Sequence, residues 1–480
     1  MASTTLASTP GAIAVTPLSK LAGPDPHWLF GNLKQIETQR FHAQMEEWAQ
    51  QYGAYFRVRL GQRDALVLSD PATTARLMRE RPDNMRRASR VAAMLNEVGA
   101  RGVFTAEGDD WRAQRKLVMR SLTPEVIRNF FSNFVTLAER LRVRWQRAVE
   151  RGEQIDLLHD LGAFSLDAIV HLAMGHDINT LEGGDNQLQR DIEFIFARVA
   201  KRITSPIPYW RYIKLAVDRE TDAAADRIMQ AVHQFIAQER RRIEDNPALR
   251  QRPTNMLQAL IVARDEEGSG FTDDDVIGNT FTMVFAGEDT TSHTIAWLIH
   301  HLSLAPAAEA ELHKEAAGVL GADRVLTGFS RLDAFPYLDA ATNEAMRLTP
   351  VAPMMTLETL SDSQIGNVQV PAGTPVVLLL REVSRNGDFG SEPDDFMPSR
   401  WIERSANPAE GDLSRQMFPF GGGARFCPGR YLAMAEIRIV MSMLARNFEL
   451  VRDTSAPPVR DLFVYTMNPD SLPVSLKLRP

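Results

Sequence analysis

Phe420-Gly421-Gly422-Gly423-Ala424-Arg425-Phe426-Cys427-Pro428-Gly429 is the stretch on which the reading of this chain turns. Three successive glycines are costly to order, because a residue without a Cβ loses the most backbone freedom on folding. They make sense where a backbone turns tightly against something flat. Cys427 follows them and is the only cysteine in 480 residues. A helical pattern begins near Gly429, with Tyr431, Leu432, Ala435 and Ile439 as its apolar positions. The sulfur therefore falls at a helix N-terminus, where free N–H groups and the helix dipole stabilise a thiolate. Phe420 and Phe426 flank it and keep water away. A lone cysteine after a glycine-rich turn is most often a buried structural thiol, so residues further out have to decide between the two readings.

Working back from the loop, helical signals dominate. The longest helix is predicted to start at Thr272, where Thr272 and Asp275 fit a capping box, and to run to Ala305 before Pro306 stops it. It is apolar nearly all round from Phe281 to Phe285, so its middle is expected to be buried. Thr123-Pro124 caps another helix that Gly152 ends, and residues 218–244 form a long charged amphipathic run. Strand signals are few: Tyr55–Leu60 and Ala65–Ser69 around Gly61-Gln62-Arg63-Asp64, Val368–Val370 and Val376–Leu380 around Pro371-Ala372-Gly373, and Leu462–Tyr465 and Val474–Leu478 around Asn468-Pro469-Asp470. These imply a mainly α fold with small peripheral β-sheets. No linker or charge block divides residues 24–480, which read as one large domain. Residues 1–23, rich in Ser, Thr, Ala and Pro, read as a flexible tail without the basic start and apolar run of a signal peptide.

The formal charge of −7 argues against a general nucleic-acid binder. One cysteine rules out an internal disulfide and Cys-rich zinc or iron–sulfur sites, and it fits a reducing cytosol. No stretch reads as the ~18 apolar residues that cross a bilayer, so a cytoplasmic protein without a transmembrane anchor is expected.

Three further constellations stand out. In the middle of the long helix, Ala286-Gly287 leaves one side bare, Thr290 can bond back to the Ala286 carbonyl, and Asp289 sets an acid beside that hydroxyl. The plain alternative is a helix-packing notch with solvated acids. Glu344 and Arg347 share a helix face ahead of Pro350, as an ordinary surface ion pair would. Trp111 and Arg115 lie one turn apart, as does an aromatic anchor beside a solvated arginine, and Arg112, Lys116 and Arg120 make a basic stripe beside them.

Phe420, Gly423, Arg425, Cys427 and Gly429, at this spacing, resemble the haem-binding loop of the cytochrome P450 family, and the other motifs follow in the family's order along nearly the whole chain. The resemblance implies a haem b held between the long central helix and the cysteine-loop helix, with Cys427 as axial ligand of its iron. It implies that Arg425, Trp111 and Arg115 face the haem propionates and that Phe420 packs against the sulfur. Ala286 and Gly287 would cross the haem at the O2 site. Asp289 would relay protons and Thr290 would hydrogen-bond there. Glu344, Arg347 and Arg400, the last from Phe396-Met397-Pro398-Ser399-Arg400-Trp401, would form a buried structural triad. Leu357 departs from the pattern, since many relatives carry a basic propionate ligand there.

The function implied is a monooxygenase that inserts one oxygen of O2 into a hydrophobic organic substrate. Reducing equivalents from NAD(P)H would arrive through a separate ferredoxin or flavodoxin type donor at the face of Arg112, Lys116 and Arg120. The pocket is expected to draw on Met94 to Phe104, Ile203 to Trp210, Ala286, Met354 to Leu357 and Tyr465 to Met467, apolar and rich in adaptable methionine. A peroxide-driven haem enzyme, or an isomerase or dehydratase, of the same fold is one alternative, and a non-catalytic haem sensor is the other. The Asp289-Thr290 pair argues against the first, and a sensor needs no proton relay.

Overall fold

The computed structural model describes residues 15–183, 187–205, 207–387, 389, 392–406 and 413–480. Helices make the body, and short sheets lie at its edge. The central helix is Asp273–Leu304, 32 residues or about 48 Å at 1.5 Å per residue. Its capping box forms as the sequence predicts: the Thr272 hydroxyl accepts from Asp275 N–H, and the Asp275 carboxylate accepts from Thr272 N–H. Residues 278–285 are continuously buried. Helix Pro124–Arg151 starts at its Thr123 cap and stops at Gly152, whose φ of +67° reverses the chain. Its buried stripe, Phe130, Phe134, Leu141 and Trp145, forms much of the main core with Phe164 of helix Leu157–Met174.

Helix Leu157–Met174 corrects one expectation. By length and composition it is apolar enough to cross a membrane, with a mean hydropathy of 1.3. Most of it is buried inside the protein, where it packs along the central helix, so here it is a core helix.

Tyr55–Leu60 and Arg63–Leu68 pair as a hairpin, as expected. The other two expected pairings do not form. Val368–Val370 pairs with Ser363–Ile365 and Thr16–Pro17, whereas Pro375–Leu378 joins the larger sheet between Arg63–Leu68 and Met355–Thr359. Asp461–Phe463 pairs with Met467–Pro469 across a three-residue turn, and Val474–Leu478 pairs with Phe448–Arg452. Pro375–Leu378 and Val474–Leu478 go to partners distant in sequence, whereas Val368–Val370 and Asp461–Phe463 close tighter hairpins with nearer strands, because pairing is set by which buried faces meet. Within the expected tail, Thr16–Pro17 pairs with Val368–Gln369 and Leu18 is buried, while residues 1–14 lie outside the described part.

Candidate active site

The glycine loop closes back on itself through the Cys427 N–H, which donates to the Phe420 carbonyl at 2.8 Å. Gly421 and Gly423 both have positive φ, +70° and +65°. A Cβ on Gly423 would sit 2.3 Å from the Met78 carbonyl oxygen, so the flat thing the loop turns against is the backbone end of helix Pro71–Arg79. Helix Arg430–Asn447 begins three residues after the cysteine. Burial pushes the Cys427 thiol up, while the amides of Gly429 and Arg430 and the Arg115 guanidinium favour the thiolate. Within the protein alone burial wins, and a cation at the sulfur would reverse the balance. The Phe420 ring lies under the Arg430 guanidinium, 5.7 Å away, so it is the backbone of Phe420 that is tied to Cys427.

On the central helix Ala286 is exposed between the buried runs 278–285 and Thr291–Ser292, so the helix presents it to an open space within the fold. The Thr290 hydroxyl donates to the Ala286 carbonyl at 2.8 Å, as anticipated. Gly287 has a different use from the one expected of it. A Cβ there would meet Ile169 Cγ1 at 2.6 Å, so its smallness admits helix Leu157–Met174.

Asp289 is held on both oxygens. Oδ1 lies 3.0 Å from His293 Nδ1, and Oδ2 accepts from the Thr466 hydroxyl. Burial would raise this carboxyl, but His293 and Thr466 outweigh it and lower it. Glu288 goes the other way: burial, then the charges of Asp289 and Glu193, keep it protonated well above the usual carboxylate range. Tyr465, in the turn before Thr466, has the strained φ of +93°. Its phenol is pushed up to about 12 by burial, with Arg87 pulling it down and Asp289 pushing it further. Its ring meets Phe285 edge-on at 5.7 Å, and Phe285 stacks on Phe196 at 3.9 Å, which makes an aromatic wall.

Beside the cysteine loop lies a group of guanidiniums that the sequence reading missed in part. Arg81 is buried with Nε and Nη2 lacking hydrogen-bond partners, and its Nη1 reaches only the Met355 sulfur at 3.3 Å. Burial first, then Arg87 and Arg425, bring its pKa down to about 9. Arg87 stacks on Phe104 at 3.6 Å, and burial with the charge of Arg425 lowers it to about 10. Arg425 is lowered by burial too. Such crowding of like charge calls for an anion. The carboxylates of a haem fit it, and a thiol short of a counter-cation fits the iron. Arg87 stands opposite Leu357 in the antiparallel pair Met85–Arg87 and Met355–Thr359, on the same side of the sheet. The neighbouring strand thus sets a cation beside Leu357. The signal was two adjacent arginines in a strand of three residues, too short for any period to show.

Arg425 and Arg115 also make contacts within the protein. Arg425 pairs with Glu107, donates to the Ala106 carbonyl and covers Trp111 at 4.9 Å. Arg115 donates to the Phe426 carbonyl at 2.8 Å and lies over the Phe426 ring. Both therefore already bind protein acceptors that two propionates would have to displace or share. Trp111 is buried beneath Arg425. Of the expected pocket segments, Pro206 and the side chains of Ile203 and Thr204 lie outside the described residues.

Glu344 and Arg347 are fully buried, with Arg347 Nε and Nη2 each 2.9 Å from the carboxylate. The same carboxylate accepts from Arg400 Nε and Trp401 Nε1, both at 2.8 Å, and from Met397 N–H at 3.1 Å. The triad forms as expected, and Trp401 adds a fourth side chain.

A family model described as Cytochrome P450 matches residues 21–474. Among curated proteins, Protein LUTEIN DEFICIENT 5, chloroplastic, of Arabidopsis thaliana is 25% identical over 443 residues, covering 90% of this chain and 73% of its own. Carotene epsilon-monooxygenase, chloroplastic, of the same plant is 26% identical over 441 residues, 88% of this chain and 79% of its own. A self-sufficient cytochrome P450 monooxygenase of Oidiodendron maius is 27% identical over 96% of this chain, which spans 42% of that protein's length. With the cysteine loop, the central helix and the buried triad in the family's order and a model match across almost the whole length, the chain belongs to the cytochrome P450 family of haem-dependent monooxygenases.

Proposed function

We propose that this chain inserts one oxygen atom of O2 into a hydrophobic organic substrate, with Cys427 as the axial thiolate of its haem and electrons from NAD(P)H delivered by a separate protein. The observation that carries the reading is the single thiol, faced by the Gly429 and Arg430 amides, beside three guanidiniums that crowd one another. Bound there, haem supplies O2 binding and reductive O–O cleavage, with the thiolate feeding electron density to the iron. Arg81, Arg87 and Arg425 would hold its carboxylates. Ala286 leaves room on the opposite side, and Thr290, its hydroxyl fixed to the Ala286 carbonyl, orients what enters there. Asp289 moves protons toward that side. The aromatic wall of Phe196, Phe285 and Tyr465 excludes water and suits an apolar substrate, and a carotene monooxygenase among the relatives points the same way. The test is turnover of hydrophobic candidates with a ferredoxin, its reductase, NADPH and ¹⁸O2. One labelled oxygen per product supports the reading. Unlabelled product, or equal turnover with H2O2 alone, favours a peroxide-driven enzyme.

The donor would dock where Arg112, Lys116 and Arg120 line the Gly108–Ser121 helix. Two of these charges are partly neutralised: Arg112 by Asp109 at 2.6 Å and by Asp83, Arg120 by Glu266. Lys116 is exposed and is expected to weigh most. Lys116→Glu with Arg112→Glu should slow reduction by an acidic donor several-fold. The wild-type rate should fall as salt rises, since the Debye length is ~8 Å at 0.15 M. A stopped-flow rate indifferent to both moves the docking face elsewhere.

A further inference from the structure

His293 and Thr466, at its two oxygens, lower the Asp289 carboxyl and favour its ionised form, which has no proton to hand on. It must be loaded first. Few groups are placed to do so. Thr466 touches Oδ2, but a threonine hydroxyl does not release its proton near neutral pH. The Thr290 hydroxyl is turned to the Ala286 carbonyl. Glu288 carries a proton, yet successive residues of a helix do not face each other. Its Oε1 lies instead toward Gly162 on helix Leu157–Met174, 3.8 Å from where a Cβ would be. Glu193, across from Glu288, and Arg87, across from Tyr465, act on those neighbours. The Tyr465 phenol, pushed up to about 12, holds its proton. His293 remains. It sits one turn along the same helix with its Nδ1 3.0 Å from Asp289 Oδ1, and a fifth of each of the two side chains is exposed.

We propose that His293 loads Asp289 with its proton and that Thr466 is the positioning residue that keeps the carboxylate turned toward the imidazole. The inference rests on Asp289 acting as the proton relay of the proposed reaction. The step moves no electrons. An imidazolium gives its Nδ1 proton to Oδ1, which leaves neutral imidazole and a neutral carboxylic acid. Asp289 passes the proton on and becomes a carboxylate again, and the neutral imidazole, turning about its Cβ–Cγ bond, brings the buried Nδ1 out to regain its proton from water. An imidazole suits this exchange because it gains and loses a proton near physiological pH. The strained backbone at Tyr465 is what brings the Thr466 hydroxyl to Oδ2.

The test uses the haem-loaded full chain with saturating donor. His293→Gln should retain haem content and reduction rate, because glutamine fills the same place and can still donate a hydrogen bond. Its kcat should fall about tenfold or more with KM unchanged, and its solvent isotope effect should rise. Wild-type kcat should decline as pH rises through the imidazole titration, and the variant should lose that limb. Thr466→Val should lower kcat by a smaller factor. Independently of turnover, the ¹⁵N NMR signals of the His293 ring should move in Asp289→Asn, since the carboxylate 3.0 Å from Nδ1 loses its charge. Wild-type kcat, isotope effect and pH profile in His293→Gln overturn the proposal. If that variant does not take up haem, His293 ring ¹⁵N signals unmoved by Asp289→Asn overturn it instead. Should Asp289→Asn remain slow while His293→Gln is normal, only the loading step fails. If neither is slow, the role of Asp289 fails as well.

Discussion

Glu344→Ala is expected to cost about 3–5 kcal/mol of stability, the range for removing one partner of a buried ion pair. The cost arises because Arg347 is completely buried and Arg400 nearly so, and both lean on that one carboxylate. With it gone, two guanidiniums lose their counter-charge where water cannot replace it, and the Trp401 and Met397 N–H groups lose their acceptor. Net stability of folded domains is about 5–15 kcal/mol, so the variant should melt well below wild type and bind haem poorly. Glu344→Gln, which keeps the shape and removes the charge, should fall between. Trp401→Phe should cost only about 1 kcal/mol, one hydrogen bond. Thermal unfolding with haem content measured alongside gives the ranking. A Glu344→Ala midpoint within a degree of wild type would mean that this carboxylate does not hold the segment leading to the cysteine loop.

Thr290→Ala and Asp289→Asn should damage turnover in different ways. Thr290 donates its hydroxyl proton to the Ala286 carbonyl, which fixes the direction of the oxygen lone pairs beside the open face of the helix. Alanine removes that group without weakening the helix, because alanine is the better helix former by a few tenths of a kcal/mol. Reduction and O2 consumption should continue, but protons arrive undirected, so more reductant should end as H2O2 and less as product. Asp289→Asn removes the acid itself and leaves His293 and Thr466 without their carboxylate. Its kcat should fall by about 10²–10⁴, the usual worth of a positioned acid or base, with a larger solvent isotope effect. Peroxide and product per NADPH consumed separate the two. Unchanged coupling in Thr290→Ala would remove the directing role of the hydroxyl.

Much of this arrangement is legible in local sequence. The capping box at Thr272, the Thr123 cap, Gly152 and the Gly61-Gln62 turn each carry their signal within a few residues, and each forms. Glu344, Arg347 and Arg400 can be read because two share a helix turn and the third sits in a distinctive segment. The misses are long-range. No local pattern shows that Val474–Leu478 pairs with Phe448–Arg452, or that Gly287 is a notch for Ile169. Arg81, in the turn after helix Pro71–Arg79, and Arg87, in the strand Met85–Arg87, look like ordinary surface arginines until packing takes them inward. His293 and Thr466 are 173 positions apart and meet only at Asp289.

The central claim, that Cys427 ligates the haem iron as a thiolate, is tested most directly by the absorption spectrum of the reduced, CO-bound protein. Cys427 is the only cysteine, so no other residue can supply sulfur ligation of that kind. The wild type should show the strongly red-shifted band of a thiolate-ligated haem, and Cys427→Ser should lose it even where haem is retained. A wild type without that band, or a Cys427→Ser variant that keeps it, would contradict the account.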